Sequence, residues 1–330
     1  MTGGRSTVPL DYSLGFDSNF AEKLRATLYG EKIEPTDRAG VLDVLTLKAN
    51  NSRVQFDVLP FLFENVRLAR ESESNLRPLN TLIAFRALDH LDWDAFRADP
   101  NGFDFRKTLE SLKDSLLPDA QACLAGMYVN PAILHFEAQS LGTQALLLRF
   151  ATLWHGGPRD PSRILGELME FSLFRLGCLA KTELSLIWGG IARKDVAPFF
   201  GPIVGRSKDM LRRIRSMAWD MTHLRLMEQA AQARKLGSFF VPYFVSLDTR
   251  WRDLMRLNPV RLMLVDDARR SMLFARSNEE SFQLALNECA SARVAGEFSP
   301  EKVAARRAAA SNMDAQSMRQ IVVEQERPWV

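Results

Sequence analysis

Apolar residues recur at intervals of three and four through most of this chain, which is the spacing of an α-helix with one buried face. Over residues 77–203 the pattern predicts almost continuous helix, interrupted where proline and glycine cluster. The longest apolar helices are predicted over Leu141–Phe150 and Gly166–Ile191. Charged residues inside the second helix would make a membrane span costly, so we expect it to be buried within protein.

The first seventy residues combine segments with helical spacing and short apolar runs that are typical of strands. Residues 11–16 form a short apolar run that predicts a strand, and a helix follows from Phe20 to a stop at Gly30. Residues 41–47 fit a helix or a strand equally well. A further helix is predicted to begin near Pro60, because proline is favoured in the first helical turn.

The chain after residue 205 is also mixed. A helix with a break near Ser216 is predicted over residues 207–235, ending at Gly237. The most strand-like run of the protein, rich in aromatic and β-branched side chains, comes directly afterwards over residues 239–248. These residues therefore predict a helix followed by a buried strand.

The pattern changes again towards the end of the sequence. Residues 260–265 predict another parallel strand, which ends in the acidic pair Asp266 and Asp267. One of these two acids could join a site formed by the others. Beyond Glu297 the composition shifts to Ala, Arg, Gln and Ser, which indicates a peripheral helix and a loose tail.

Composition narrows the classes of protein. The chain of 330 residues is 46% hydrophobic and 25% charged, the balance of a globular protein, and its net charge is only +3. Affinity for a polyanion must therefore come from a local basic patch. Three separated cysteines and four histidines offer little for a zinc site or a disulfide framework. With no apolar N-terminal segment, we expect a cytoplasmic protein without a membrane partner.

Acidic residues stand where predicted elements meet. Asp17 and Asp248 follow two predicted strands, and Asp220 lies in the predicted helix between them. Ligands bind at the carboxyl ends of the strands in open parallel sheets, so Asp17 and Asp248 should face one crevice, within reach of Glu64. Four crowded carboxylates repel one another unless a cation neutralises them. The oxygen ligands suit Mg²⁺ or Mn²⁺, which can activate water for attack on a phosphodiester.

Four short motifs resemble those of the PIN-domain nucleases. Phe16–Asn19 is similar to the opening strand that ends in Asp-x-Asn, and Pro60–Glu64 resembles the helix with the second acid. Trp219–Leu224 looks like the helix of the third acid, and Val245–Asp248 like the late strand that ends in Ser/Thr-x-Asp.

The resemblance implies a three-layer α/β/α fold with a central, mainly parallel sheet and a large all-helical insertion. The PIN-like domain would be discontinuous, comprising residues 10–71 and 206–297. The insertion would occupy residues 72–205, because Glu64 and Asp220 lie far apart in sequence, and residues 298–330 would form a helical or flexible tail.

The resemblance also implies a metal-dependent nuclease, with RNA favoured over DNA as the substrate. Asp17, Glu64, Asp220 and Asp248 would hold Mg²⁺ or Mn²⁺. Substrate-binding residues would be Asn19, Ser246 and His223, together with Arg212, Arg213 and Arg215 of a basic stretch that runs towards Asp220. By analogy with the family, the protein would be a toxin or antiphage effector. A protein partner or inhibitor could bind the insertion, and a homo-oligomer is a further option.

Each of these residues also has a purely structural interpretation. Asp17, Asp220 and Asp248 are good helix N-caps, and Glu64 suits a first helical turn. His223 could be a buried structural histidine, and the arginines an ordinary solvated helix face. The alternative function is therefore a non-catalytic helical adaptor or scaffold, or a catalytically dead PIN-like interaction module.

Overall fold

The computed structural model describes residues 10–330 except 72–73, 194–195, 234–238, 267–270 and 311–313. The described chain is mostly helical and contains one small sheet and one separate hairpin. It divides into two compact units, of which the first comprises Met1–Ile133 with Gln229–Asp248, and the second Leu134–Glu228 with Thr249–Val330.

The helices and strands follow one another along the chain in a mixed order. They are β1 Leu10–Phe16, α1 Ser18–Leu28, α2 Pro35–Asn50, β2 Gln55–Asp57, α3 Leu59–Glu71, α4 Arg77–Ala87, α5 Trp93–Ala98, α6 Leu109–Tyr128, α7 Pro131–Gly156, α8 Pro161–Phe174, α9 Lys181–Ile191, α10 Gly201–Val204, α11 Met210–Ala230, β3 Gln232–Ala233, β4 Phe239–Val245, α12 Thr249–Leu257, β5 Val260–Asp266, β6 Ser271–Arg276, α13 Glu279–Cys289, α14 Ala292–Ala295, α15 Pro300–Ala310 and α16 Ala315–Glu326. Single 3-10 turns lie at Leu88–His90, Pro198–Phe200, Gly296–Phe298 and Arg327–Trp329.

The sheet of the first unit has the strand order β2-β1-β4-β3. Strand β1 pairs in parallel with β2 and β4, and β3 adds an antiparallel edge to β4. Gly15 is in register with Asp57, and Phe16 with Val245. The carboxyl ends of the three parallel strands therefore meet at one edge, as expected from the sequence for β1 and β4.

Helices pack against this sheet through an aromatic core. Phe16, the last residue of β1, is fully buried and stacks on Phe20 of α1 with ring centroids 4.8 Å apart. Phe56 of β2 and Phe85 of α4 contact the same ring at 5.0 and 5.1 Å. Such aromatic pairs add roughly 0.5–1.5 kcal/mol each beyond the area they bury. The end of β1 is thus held in place by α1, β2 and α4.

The close approach of α3 to β1 depends on a glycine. A Cβ atom at Gly15 would lie 2.9 Å from Cγ of Pro60, in the first turn of α3. No real Cβ fits at that distance, so the absence of a side chain lets the helix that carries Glu64 lie directly on the central strand.

The second unit contains two helices where the sequence predicts one over Gly166–Ile191. Gly177 lies between α8 and α9 with φ of +71°, a conformation that strongly favours glycine. The Ser172 hydroxyl donates to the Cys178 carbonyl and accepts from the Ala180 amide at 2.8 Å. These bonds hold the turn, which periodicity alone does not reveal. No helix in the described ranges is long and apolar enough to cross a membrane.

Two other predictions for the second half of the chain are wrong. Helix α11 runs through Ser216 without a break, and the Ser216 hydroxyl accepts a bond from Arg250 at 3.2 Å. Strand β5 is not parallel to the main sheet, because it forms a separate antiparallel hairpin with β6. Only four residues separate the two strands, too few for the crossover that a parallel pair requires.

Other segments add detail to the sequence-based description. Residues 41–47, undecided from the sequence, lie within α2, and β2 was not predicted. In place of a loose tail the chain ends in α15 and α16, and Met318 and Val322 of α16 are buried. Lys235, Gly237 and Asp267 lie outside the described residues.

The boundaries of the two units differ from those of the domains predicted from the sequence. The stretch 72–205, predicted to be one insertion, contributes α4, α5 and α6 to the first unit and its later helices to the second. Residues 249–297 belong to the second unit, since α12 packs on α9 and α13 packs on α8. The late strand β4 stays with β1.

We predict that Gly15→Ala lowers the free energy of unfolding by about 1–3 kcal/mol, because the added methyl group must displace Pro60. The matched control is Gly126→Ala in α6, where an added Cβ meets no atom within 4 Å. This change should raise the free energy of unfolding by about 0.5–1 kcal/mol. Urea denaturation measures both, and equal effects of the two substitutions would contradict the close approach of α3.

Candidate functional site

Asp17 marks the point where β1 ends and α1 begins. Its Oδ1 atom accepts the Phe20 amide N–H at 2.6 Å, so the residue is the N-cap of α1. The side chain is only 8% exposed. The capping role considered from the sequence is therefore confirmed, but it leaves the carboxylate at the carboxyl end of the sheet, where a site would lie.

Ser246 links this carboxylate to the neighbouring strand. Its hydroxyl donates to Oδ2 of Asp17 and accepts the Asp248 amide N–H at 3.0 Å. The Asp17 amide in turn donates to the Val245 carbonyl at 3.2 Å. The Ser-x-Asp sequence after β4 thus has a physical role: its serine connects the ends of β1 and β4, and its aspartate lies beside that connection.

Glu64 reaches the same region from α3. Its Oε2 atom accepts a 2.5 Å bond from the hydroxyl of Ser18, the residue that follows Asp17. Asn65 donates to that hydroxyl at 2.6 Å and to the Phe61 carbonyl at 2.9 Å. Ser18 is therefore fixed as a donor to Glu64 and holds the carboxyl group near the first turn of α1.

The three carboxyl groups are electrostatically coupled, and we call Asp17, Glu64 and Asp248 the acidic cluster. The pKa of Asp17 is raised to about 6. Burial is the main cause and the charge of Asp248 adds to it, whereas the hydrogen bonds from Ser246 and the Phe20 amide lower the pKa. Burial also raises the pKa of Glu64 to about 7, with the Asp17 charge adding to the shift and Ser18 and Arg77 opposing it. Asp17 thus interacts with both other acids.

Two residues near the cluster were not predicted from the sequence. Asp57 ends β2 beside Gly15, and burial raises its pKa although its Oδ1 accepts the Leu59 amide at 2.9 Å. Arg77, whose charge acts on Glu64, pairs with Glu22 at 2.6 Å. The sequence Gln-Phe-Asp before Pro60 is short and strand-like, and it could have indicated an acid at the end of a strand. No feature of the sequence points to Arg77.

The other predicted site residues have different surroundings. Asn19 is exposed next to the cluster. Asp220 is half-buried in α11 and belongs to the second unit, whereas the other three acids belong to the first. His223 on the same helix is 1% exposed, and its ring lies 5.7 Å from that of Trp219. This burial favours the structural interpretation of His223 over substrate binding.

The predicted basic residues also belong to α11. Arg212, Arg213 and Arg215 are exposed, and Arg212 pairs with Asp209 at 3.1 Å. Exposed ion pairs of this kind contribute little to stability. The three guanidinium groups therefore form a solvated helix face that leaves most of their hydrogen-bond donors accessible to a ligand.

The chemistry of the cluster suits a hard cation. Among the described residues, no three His, Cys, Asp or Glu side chains form a group that could hold a metal ion. Mg²⁺ does not need one, since it is commonly held by one or two carboxylates and several waters. Asp17 and Glu64 offer oxygen ligands whose raised pKa values reflect uncompensated negative charge in a buried setting, which a cation would relieve. These residues therefore fit Mg²⁺ or Mn²⁺.

We predict that Asp17→Asn stabilises the metal-free protein at pH 8. Because the folded-state pKa of Asp17 lies above its ordinary 3.8, ionisation of Asp17 disfavours the folded state. The ionisation of Asp17 alone should lower the free energy of unfolding by roughly 2–3 kcal/mol as the pH rises from about 4 to 7. Asparagine keeps the cap, so the variant should melt several degrees above wild type at pH 8 in EDTA and match it near pH 4.

Asp43→Asn is the matched control, because Asp43 is exposed on α2 of the same unit. Its melting temperature should follow that of wild type at every pH. If Asp17→Asn instead melts lower than wild type at pH 8, or gains the same increment at both pH values, the carboxylate of Asp17 is not destabilised by burial and crowding.

No protein-family model matches the chain, and no curated protein or solved structure matches it either. The comparison with PIN-domain nucleases therefore depends on the four short motifs alone. Of these, the two strand motifs and the Glu64 helix lie together in the first unit, and the Asp220 motif belongs to the second.

Proposed function

We propose that the first unit is a PIN-like domain that hydrolyses phosphodiester bonds with a divalent metal ion, acting as an endoribonuclease. The observation that carries this proposal is the acidic cluster: Asp17, Glu64 and Asp248 are electrostatically coupled at the carboxyl ends of parallel strands. The order β2-β1-β4 and the helices against the sheet support the three-layer arrangement that the motifs imply.

Asp17 and Glu64 would hold Mg²⁺ or Mn²⁺ together with water molecules, and Asp248 would add negative charge beside them. When bound, the ion would activate a water molecule and neutralise charge that develops on the phosphate. Ser246 and the Phe20 amide orient the Asp17 carboxylate, and Ser18 orients Glu64. The raised pKa of Glu64 belongs to the metal-free protein, and a bound cation would lower it towards the ionised form that serves as a ligand.

Substrate contacts would come first from residues beside the acidic cluster. Asn19 and Ser246 adjoin it, and the side chain of Arg77 is 59% exposed and acts electrostatically on Glu64. In the second unit, the exposed Arg212, Arg213 and Arg215 offer phosphate contacts that need no base recognition. Asp220, predicted from the sequence as the fourth acid, belongs to the second unit. RNA as the substrate, a toxin or antiphage role and an inhibitor partner come from the family resemblance alone.

A non-catalytic interaction module is the alternative function. The specific observation in its favour is that Asp17 and Glu64 are hydrogen-bonded within the protein: Asp17 by Ser246 and the Phe20 amide, and Glu64 by Ser18. Their raised pKa values also favour protonated, neutral carboxyl groups that could serve only to join α1, α3 and β4. The proposed catalytic function must therefore be separated from this one by metal binding and by cleavage.

We predict cleavage of labelled single-stranded RNA by the purified protein in Mn²⁺ or Mg²⁺, and no cleavage in EDTA. Asp17→Asn and Asp248→Asn should lower the rate at least about 100-fold, since each removes a charge that holds the ion. Glu64→Gln should lower it comparably, because it removes the second buried carboxylate that would hold the ion. Gel analysis of a time course measures all three.

Asp43→Asn is again the control and should cleave at the wild-type rate. The second measurement is thermal: Mn²⁺ should raise the melting temperature of wild type at pH 8 and raise that of Asp17→Asn much less. Stabilisation by Mn²⁺ without cleavage would favour a metal-binding interaction module. Cleavage that survives all three cluster substitutions would assign the activity to another site.

A further inference from the structure

A cavity that opens to the surface lies in the first unit, separate from the acidic cluster. It has a volume of about 370 Å³ and is lined by residues from the end of α2, β2, α3, α4, α6 and the segment from the 3-10 turn into α5. None of the three acids of the cluster lines it. Helix α3 contributes Leu59 and Leu62 to the cavity and Glu64 to the cluster, and Leu62 and Glu64 lie two residues apart, on opposite sides of the helix.

The inner wall of the cavity is apolar and well ordered by packing. Leu62, Leu82, Phe85 and Leu88 line it and are each less than 9% exposed, so the wall is part of the core of the unit. The volume falls in the range of small-molecule sites, which are mostly apolar with a few polar groups. The cavity therefore suits a ligand with a compact apolar body.

Aromatic side chains define the shape of such a ligand. Phe56 and Trp93 line the cavity and are half-buried. Trp93 also contacts the buried ring of Phe96, with centroids 6.0 Å apart and the planes nearly perpendicular. Two partly accessible aromatic side chains on one cavity favour a flat partner, because aromatic rings stack with offset or edge-to-face geometry.

The charged groups of the cavity favour an anion. Lys48 and Arg86 line it together with a single acid, Asp89. The Lys48 ammonium lies 5.9 Å from the centroid of Phe56 and donates to the Val54 carbonyl, which leaves two of its three N–H groups. Arg86 lies 3.6 Å from Asp119, whose side chain is 75% exposed, and so keeps donors for another acceptor.

We propose that this cavity binds a small aromatic anion, with the ring body against the apolar wall and the acidic group at Lys48 and Arg86. Lys48 and Arg86 supply the donors for the acidic group, with Asp89 and Asp119 as the acids near them, and the aromatic side chains supply the selectivity for a flat body. This binding is independent of the proposed nuclease activity, since the residues involved differ.

Cys123 provides a reporter for occupancy. Its side chain lines the cavity, whereas Cys178 and Cys289 lie in the second unit. A ligand in the cavity should shield Cys123 from a maleimide and leave the reactivity of the other two thiols unchanged. Peptide mass spectrometry measures the three rates in one sample.

The probe is 8-anilinonaphthalene-1-sulfonate, compared with its uncharged analogue N-phenyl-1-naphthylamine, in fluorescence titrations of the full chain. We expect the sulfonate to bind with one-to-one stoichiometry, about tenfold more tightly than the neutral analogue, and to slow the labelling of Cys123. The double substitution Lys48→Gln and Arg86→Gln should remove this preference. Lys113→Gln, at an exposed lysine of α6 outside the cavity, is the control for loss of a surface cation and should leave it intact.

Met127→Trp fills the cavity from α6 and should weaken binding of both probes. Circular dichroism and melting temperature establish that each variant is folded, and the Cys123 labelling of wild type tests occupancy without any substitution. Equal affinity for the charged and neutral probes would overturn the anion preference. Binding that neither shields Cys123 nor responds to Met127→Trp would overturn the cavity as the site.

Discussion

The burial of the Asp17 carboxylate at the junction of β1 and α1 is the constraint on which the site depends. The same group caps α1 through the Phe20 amide and binds the Ser246 hydroxyl at the end of β4. The Asp17 carboxylate therefore connects the end of β1 with α1 and with the end of β4. Its negative charge also raises the pKa of Glu64. Removing it from water disfavours its ionised form, which a divalent cation would restore.

The parts of this arrangement that local sequence determines were predictable. The aromatic and β-branched run of β4 forms a strand, and the predicted β1, α1 and α3 all occur. Pro60 lies in the first turn of α3, and Gly30, with φ of +68°, ends the turn after α1. These residues act through their own backbone preferences, so a single sequence suffices to place Asp17 and Asp248 after strands and Glu64 on a helix.

The remaining features depend on contacts between distant residues. Strand β2 is three residues long and exists through its pairing with β1, which a local pattern does not encode. The bonds of Ser18 to Glu64 and Asn65 join positions 46 and 47 residues apart. The apolar pattern of β5 fits a parallel strand as well as an antiparallel one. The pairing of β5 with β6 in a hairpin makes it antiparallel. Each of these three features is therefore determined by tertiary contacts and not by the local sequence.

The most direct test of a crowded, buried carboxylate site is a carboxyl ¹³C NMR titration of Asp17 and Glu64, assigned with Asp17→Asn and Glu64→Gln, in EDTA and then in Mg²⁺. Without metal, the coupled pair should titrate with apparent pKa values near 6 and 7. Mg²⁺ should lower both, since a cation favours the ionised forms. Apparent pKa values near the ordinary 3.8 and 4.5 that do not change with Mg²⁺ would contradict such a site.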